Sequence, residues 1–494
     1  MAKKKEQDTK PAVIGYLPDD VPPLGKLILL GFQHVLTMFP ATVLAAMLMG
    51  FHVSTTLAVT GFATIVALIG SKLALGKFIP LYYGASFSYI TAVVAFTGVS
   101  FGEVASDEAL SLVQVGFIAT GVINILVGLL IRRAGGKKFL DTLLPPIVTG
   151  SVACVIGVAL AATALSQASG VSDGFAGGSG VYWTVAMVTM ISAILYSVYL
   201  QGKGFIGLLP ILLAAVTGYV FSIALDQISY LTSGATLGLV DFSRINAADV
   251  IRTPHITLPN FSHPDALTVI IGVGIMAIAT IPESTAHLYQ ISLYVDHLAD
   301  ELGRPKYGLS RYIGLNLVLD GINDIINGFL GSPAGTNYGE NNSLMVISRN
   351  YSGPALLMAG FIAILLGFFG PLSDLVSTIP TAVTGGLSIY LFGVIGMQGV
   401  ALMISERVNL FDPRQLAIGA VIMIVGIGGA IGFPNGFLPV PGLGSLFPSG
   451  LPAIATAAVM GILLNLVFTL FKPSVERSEA TKVLSVSEQT STGD

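Results

Sequence analysis

The chain has 494 residues, 53% of them hydrophobic and only 10% charged, with a mean hydropathy of +0.82; an ordinary soluble domain carries roughly 25% charged residues, so this composition excludes a string of soluble domains. The formal net charge of -4 and the dispersal of the 23 basic residues exclude a nucleic-acid partner. A single cysteine, Cys154, excludes an intrachain disulfide and a cysteine metal centre, and its apolar surroundings predict a packed, inert thiol.

A basic tail at 1–22 comes first; its lysines resemble a signal-peptide n-region, but the first apolar run starts only near Leu27 and lacks a small-residue cleavage site. From there to Phe471 apolar stretches recur, predicting one membrane domain over 23–472. At about 20 residues per span, helices fall at 25–49, 53–75, 80–98, 108–131, 142–167, 181–200 and 204–226. A polar loop at 227–263 follows, then helices at 265–293, 310–330, 336–349, 354–370, 374–404, 413–432 and 450–471. The Ser-, Thr- and Glu-rich tail at 473–494 reads as disordered. The expected fold class is therefore an all-α integral membrane protein with fourteen transmembrane segments, seven in each half.

Seven spans per half invert the second half relative to the first. Basic residues give an independent test, because they concentrate in short cytoplasmic loops. With both termini cytoplasmic, all of the 23 fall inside except Arg244 and Arg252 in the long central loop. Short matches recur at equivalent places: Pro145 to Gly150 with Pro380 to Gly385 as P-x-x-V-T-G, Phe39-Pro40 with Ile281-Pro282, and Tyr83-Gly84 with Tyr338-Gly339. These predict two inverted seven-helix repeats.

The third and tenth segments open on Pro/Gly-interrupted stretches, 79–87 and 331–340, before short apolar runs. Paired broken segments at matching positions mark a transporter's binding site, since irregular backbone survives at membrane depth only inside protein or against a watery cavity. Helices restarting there would aim unpaired N–H groups at a ligand, with Phe87 or Tyr338 as the donors. Glu283 and Glu340 stand in these apolar surroundings, where a carboxylate costs about 2.5–3.5 kcal/mol and so needs a partner, a proton or a function. His287 follows Glu283 by one helical turn, so the two share a face and could pass a proton between them; a purely structural pair would serve only to tie helices together. Gln33 and His34 lie in the first helix, where interhelical bonding and ligand contact fit equally well. Asp320 and Asp324 repel each other across one turn unless one is protonated or paired; Asp320 reads as a network residue and Asp324 has no assigned role. Arg349 reads as an interface anchor. No zinc spacing, phosphate loop or nucleophile elbow occurs, so no cofactor, metal or enzymatic activity is expected.

The string Tyr338-Gly339-Glu340-Asn341-Asn342-Ser343 through Arg349 resembles the signature of the nucleobase-ascorbate transporter family, and its Gly-Glu-Asn opening is similar to the bacterial pyrimidine-transporting members. Gln33-His34, Ala41-Thr42, Gly84 to Phe87, Glu283 with His287, and Asp320-Gly321 agree in order, from about Pro22 to Phe471. The resemblance implies a core domain (25–131 and 265–370) moving against a gate domain (142–226 and 374–471) in a homodimer of the inner membrane. It implies proton symport of a nucleobase, uracil before others, with a xanthine or uric acid permease as the alternative on the same scaffold. By carry-over, Glu283, Glu340, Phe87, Tyr338, Gly339 and Ala41 bind the base, Glu283 and His287 couple the proton, and Gln33, His34, Asp320 and Asn341 support them. Glutamate at 340, where purine-selective members usually carry glutamine, tilts the choice to a pyrimidine. Pro282 before Glu283, the intervening Ser284-Thr285-Ala286 and Ser343 in place of a glycine depart from the pattern. An anion transporter of related architecture is a more remote reading, opposed by two acidic residues at the site.

Overall fold

The computed structural model describes residues 15–99, 103–134, 144–175, 177–245, 250–439 and 450–471, with 442 and 447 singly. Most of both expected tails, 1–14 and 472–494, lies outside the described residues, as do Lys137 and Lys138. In chain order the helices are α1 (Leu24–Met49), α2 (Val53–Leu75), α3 (Ile90–Thr97), α4 (Asp107–Ala134), α5 (Pro146–Ala159), α6 (Ala161–Ser169), α7 (Gly180–Tyr199) and α8 (Pro210–Ser233). The second half brings α9 (Ala266–Gly274), α10 (Ala277–Glu301), α11 (Ile313–Leu330), α12 (Gly339–Ser348), α13 (Gly353–Gly367), α14 (Gly370–Ser377), α15 (Thr381–Ser405), α16 (Pro413–Gly432) and α17 (Ala453–Leu470).

Among the described residues ten helical stretches are long and apolar enough to cross a membrane. The other four of the fourteen expected segments fall short in length or hydropathy. The third and tenth are half-helices, α3 and α12; the eleventh, α13, has 15 residues. The ninth, α11, is too polar: it buries Asn316, Asp320, Asn323, Asp324 and Asn327, which other helices rather than lipid surround. The expected twelfth segment, 374–404, is two helices, α14 and α15, parted at Pro380, whose ring cannot continue a helix from the preceding turn. The central loop starts later than 227 because α8 runs on to Ser233.

Packing is tightest where small residues let backbones meet. Helix α4 runs against α11, α2 against α13, and α5 with α6 against α15. At the α4–α11 crossing a Cβ on Gly121 would lie 2.5 Å from the Gly321 carbonyl oxygen, so this contact requires glycine. Cys154 is buried and donates to the Gly396 carbonyl at 3.0 Å, the packed thiol expected. Arg349 caps α12 in the left-handed region (φ 53°) and pairs with Glu301.

Residues 250–260 form a strap over the helices. Arg252 grips Asp374 through two hydrogen bonds of 2.6 and 2.5 Å, Thr257 bonds Gln114 at 2.8 Å, and the Asn260 N–H donates to Ser111 O at 2.9 Å. Thr55 Oγ1 donates to the His255 carbonyl at 2.7 Å. The strap is thereby sewn to α2, α4 and α14.

Candidate functional site

Both broken segments become short strands and pair with each other. Strand β1 (Tyr83–Ala85) runs antiparallel to β2 (Gly335–Asn337), with Tyr83 opposite Asn337, Gly84 opposite Thr336 and Ala85 opposite Gly335. The ladder satisfies backbone groups that the breaks would leave unpaired within the protein. Each strand is followed by one capping residue, Ser86 or Tyr338, and then a helical start, at Phe87 and at Gly339. The Tyr83-Gly84 and Tyr338-Gly339 match is therefore out of structural register: Phe87 and Gly339 are the corresponding positions.

This geometry revises the expected donors. The Tyr338 N–H is engaged, donating to Tyr82 O at 2.8 Å, so it is not offered to a ligand. The Phe87 N–H has no partner among the described residues, and the N–H groups of Gly339 and Glu340 belong to the first turn that every helix leaves without internal acceptors. Tyr338 instead braces the site through its side chain. Its hydroxyl donates to Ala85 O at 2.9 Å and meets Thr42 Oγ1 at 3.0 Å, while its ring stacks on Tyr82.

Glu283 and Glu340 are both exposed and neither makes a hydrogen bond or ion pair among the described residues. They lie within electrostatic reach of one another and of the Tyr338 hydroxyl. Glu340, Phe87 and Ala41 line one cavity of about 80 Å³ with Thr37, Pro40, Leu209, Pro210 and Leu391. Phe87 also meets Phe392 edge to face, with ring centroids 6.4 Å apart. The cavity thus lies between α1, the two half-helix starts, and residues of α8 and α15.

Among the described residues no hydrogen bond joins His287 to Glu283, one turn away. Its Nδ1 lies 2.8 Å from both the backbone and the side-chain oxygen of Asn337. A carbonyl oxygen only accepts, so Nδ1 carries the hydrogen and Nε2 presents its lone pair. That Nε2 faces Gly339, where an added Cβ would come within 2.9 Å of it. Spacing along a helix sets which backbones are neighbours; the rotamer decides which partner the ring finds.

Behind the site lies a buried polar network. Ser284 Oγ accepts from Asn316 and Asn337, each at 2.8 Å, and Tyr83 donates to Asn316 at 3.2 Å. Asp320, fully buried, accepts from Thr336 at 3.5 Å. Asp324, without an expected role, accepts from Asn124 and from the Gly335 N–H, both at 2.9 Å, and so anchors β2. Asn341 donates to the His34 carbonyl and ring, each at 3.1 Å, tying α12 to α1. Gln33 takes no side-chain part among the described residues; its carbonyl accepts from Thr37. Sequence reasoning missed Thr42, Ser284, Asn316, Asn337 and Phe392. The amide and carboxyl side chains at 316, 320, 323, 324 and 327 repeat at helical spacing, a signal that would have found part of the network.

Residues 25–435 match the model of a family described as Permease family, Xan_ur_permease. The chain is 34% identical over 450 residues to a uracil permease of Bacillus caldolyticus, covering 91% of this chain and 93% of that protein. It is 32% identical over 464 residues to the uracil permease of Escherichia coli strain K12, covering 93% and 94%. Among solved structures it is similar to the transmembrane domain of a cyanobacterium bicarbonate transporter, BicA (TM-score 0.57, 14% identity, 91% of this chain and 99% of that one). It is also similar to the murine Slc26a9 anion transporter in the inward-facing state (TM-score 0.63, 11% identity, 92% and 70%). At these identities the structural likeness is one of fold alone.

Proposed function

The chain belongs to the Xan_ur_permease family of permeases, and from that premise we propose that it imports a nucleobase, uracil first, by proton symport with alternating access. The observation that carries this reading is the pair of unpartnered, exposed carboxylates, Glu283 and Glu340, beside two half-helix starts that share one ladder. Uracil alternates N–H donors and carbonyl acceptors around a flat ring. Two carboxylates match its donors, the N–H groups of Phe87 and Gly339 match its carbonyls, and the Phe87 ring, which lines the cavity, covers a face in this reading. Uracil permeases at 32–34% identity over nine-tenths of the chain support the same substrate. The likeness to anion transporters extends to architecture; two carboxylates at the site oppose an anion.

In this reading the chain forms fourteen segments in two inverted repeats. The pairing of α4 with α11 and of α2 with α13, and the self-pairing of α5 with α15 and of β1 with β2, support it, because a seven-plus-seven relation exchanges or preserves each pair. A core of 25–131 and 265–370 carries the base past a gate of 142–226 and 374–471, in a homodimer of the inner membrane with both termini cytoplasmic. His287, with Nε2 as an open acceptor, takes up the proton together with Glu283. One charge moved through 100 mV supplies about 2.3 kcal/mol, equivalent to about fifty-fold accumulation, so one proton suffices for a scavenging permease.

The test is uptake of radiolabelled uracil into proteoliposomes with and without an inward proton gradient, with xanthine and uric acid as competitors. Saturable, gradient-stimulated uptake blocked by unlabelled uracil is expected, and Glu283→Gln or Glu340→Gln should lower it at least tenfold with normal membrane insertion. Competition by xanthine in place of uracil would overturn the pyrimidine assignment, and undiminished uptake in both variants would overturn the site.

A further inference from the structure

Half of the chain's six histidines, His52, His255 and His263, gather where the start of α2, the start of α4 and the strap meet. His52 occupies the turn between α1 and α2, Asp107 opens α4, and His255 rides on the strap. One ligand atom from each of these three residues lies within 4.8 Å of the others. His255 Nε2 is already 2.9 Å from Asp107 Oδ1, and the His52 and His255 rings stand 4.6 Å apart, centroid to centroid. We propose that His52, Asp107 and His255 form a binding site for a divalent cation of the zinc type, which fastens the strap to the helix ends beneath it.

The donor set is two imidazoles and one carboxylate, the ligand types zinc takes at about 2.0–2.2 Å, which places tetrahedral ligand atoms about 3.3–3.5 Å apart. Fitting the cluster to that size, with the 2.9 Å His255–Asp107 pair opening slightly, takes side-chain rotation within two exposed residues and one half-buried one. Three protein ligands leave the fourth position to water. Nitrogen donors favour zinc and its late first-row neighbours over magnesium or calcium. The His255 backbone is held independently, its carbonyl accepting from Thr55 at 2.7 Å, so its ring is delivered to the same place whether or not an ion is bound. No sequence motif announces such a site, because its ligands come from positions 52, 107 and 255 and meet only in the fold.

The experiment uses the purified full chain, tag removed and stripped with chelator, titrated with zinc chloride by calorimetry and by thermal unfolding, with magnesium chloride as control. One zinc per chain and a raised unfolding midpoint are expected, with magnesium inert. His52→Ala with His255→Ala should weaken zinc binding at least tenfold while the metal-free midpoint and uracil binding stay at wild-type values. Asp107→Asn, which keeps the side chain's shape, should weaken it as well. Absence of zinc binding to the wild type, or zinc binding of unchanged affinity in the double variant, would overturn the proposal. Loss of uracil binding in all chains alike would strike the transport reading and leave the metal result standing.

Discussion

At Gly339 the missing side chain matters more than most that are present, because a Cβ there would crowd His287 Nε2 at 2.9 Å. Gly339→Ala should displace the imidazole from its seat on Asn337 and weaken uracil binding about tenfold, read by equilibrium binding, with the protein still monodisperse in detergent. Wild-type affinity in that variant would remove His287 from the site. The residues legible in the sequence were those that contrast with their surroundings: Glu283 and Glu340 stand out because a carboxylate in an apolar stretch is costly. Leu209 and Leu391 at the cavity, and Phe392 against the Phe87 ring, were not legible, being apolar residues among apolar residues that only the fold brings there. The bond from His287 to Asn337 was not legible for a different reason, since one-turn spacing says nothing about which way an imidazole turns.

For the elements, the decisive part is α11, which keeps a row of amides and acids out of lipid and uses one of them to hold a strand. Asp324→Ala leaves the Gly335 N–H and the Asn124 amide without their acceptor, at about 1–3 kcal/mol for each buried group. The unfolding temperature in detergent should fall, and Asp324→Asn, which retains one acceptor oxygen, should fall less; equal midpoints for all three proteins would contradict the anchoring role. Gly121→Val drives a side chain into the Gly321 backbone and should cost about 1–3 kcal/mol, visible as a lower midpoint with the site chemistry untouched. Helix positions were readable from runs of hydropathy, often to within a few residues. Elements whose polarity or brevity departs from a bilayer span were harder to place: α14 merged with α15 in the sequence because only Thr378, Ile379 and Pro380 separate them.

On the scale of the whole molecule, the two halves meet at the β1–β2 ladder and again where the strap binds α2 and α4. Separately expressed halves, divided in the central loop between 245 and 250, should each be degraded alone and accumulate when co-expressed, as judged by immunoblot of membranes. Stable accumulation of the first half by itself would contradict this dependence.

The same ladder has a bearing on biogenesis. Asn337 is polymerised some 250 residues after its partner Tyr83, which at about 5–20 residues per second leaves the earlier strand waiting for tens of seconds. Throughout that interval the Tyr83 N–H has its partner in Thr64 Oγ1, but the backbone groups that face the later strand have no mate, and acyl chains offer none. The nascent chain must therefore pass this stage sheltered, in the insertion machinery or beneath its own first helices, and the ribosome's schedule becomes part of what the fold has to survive.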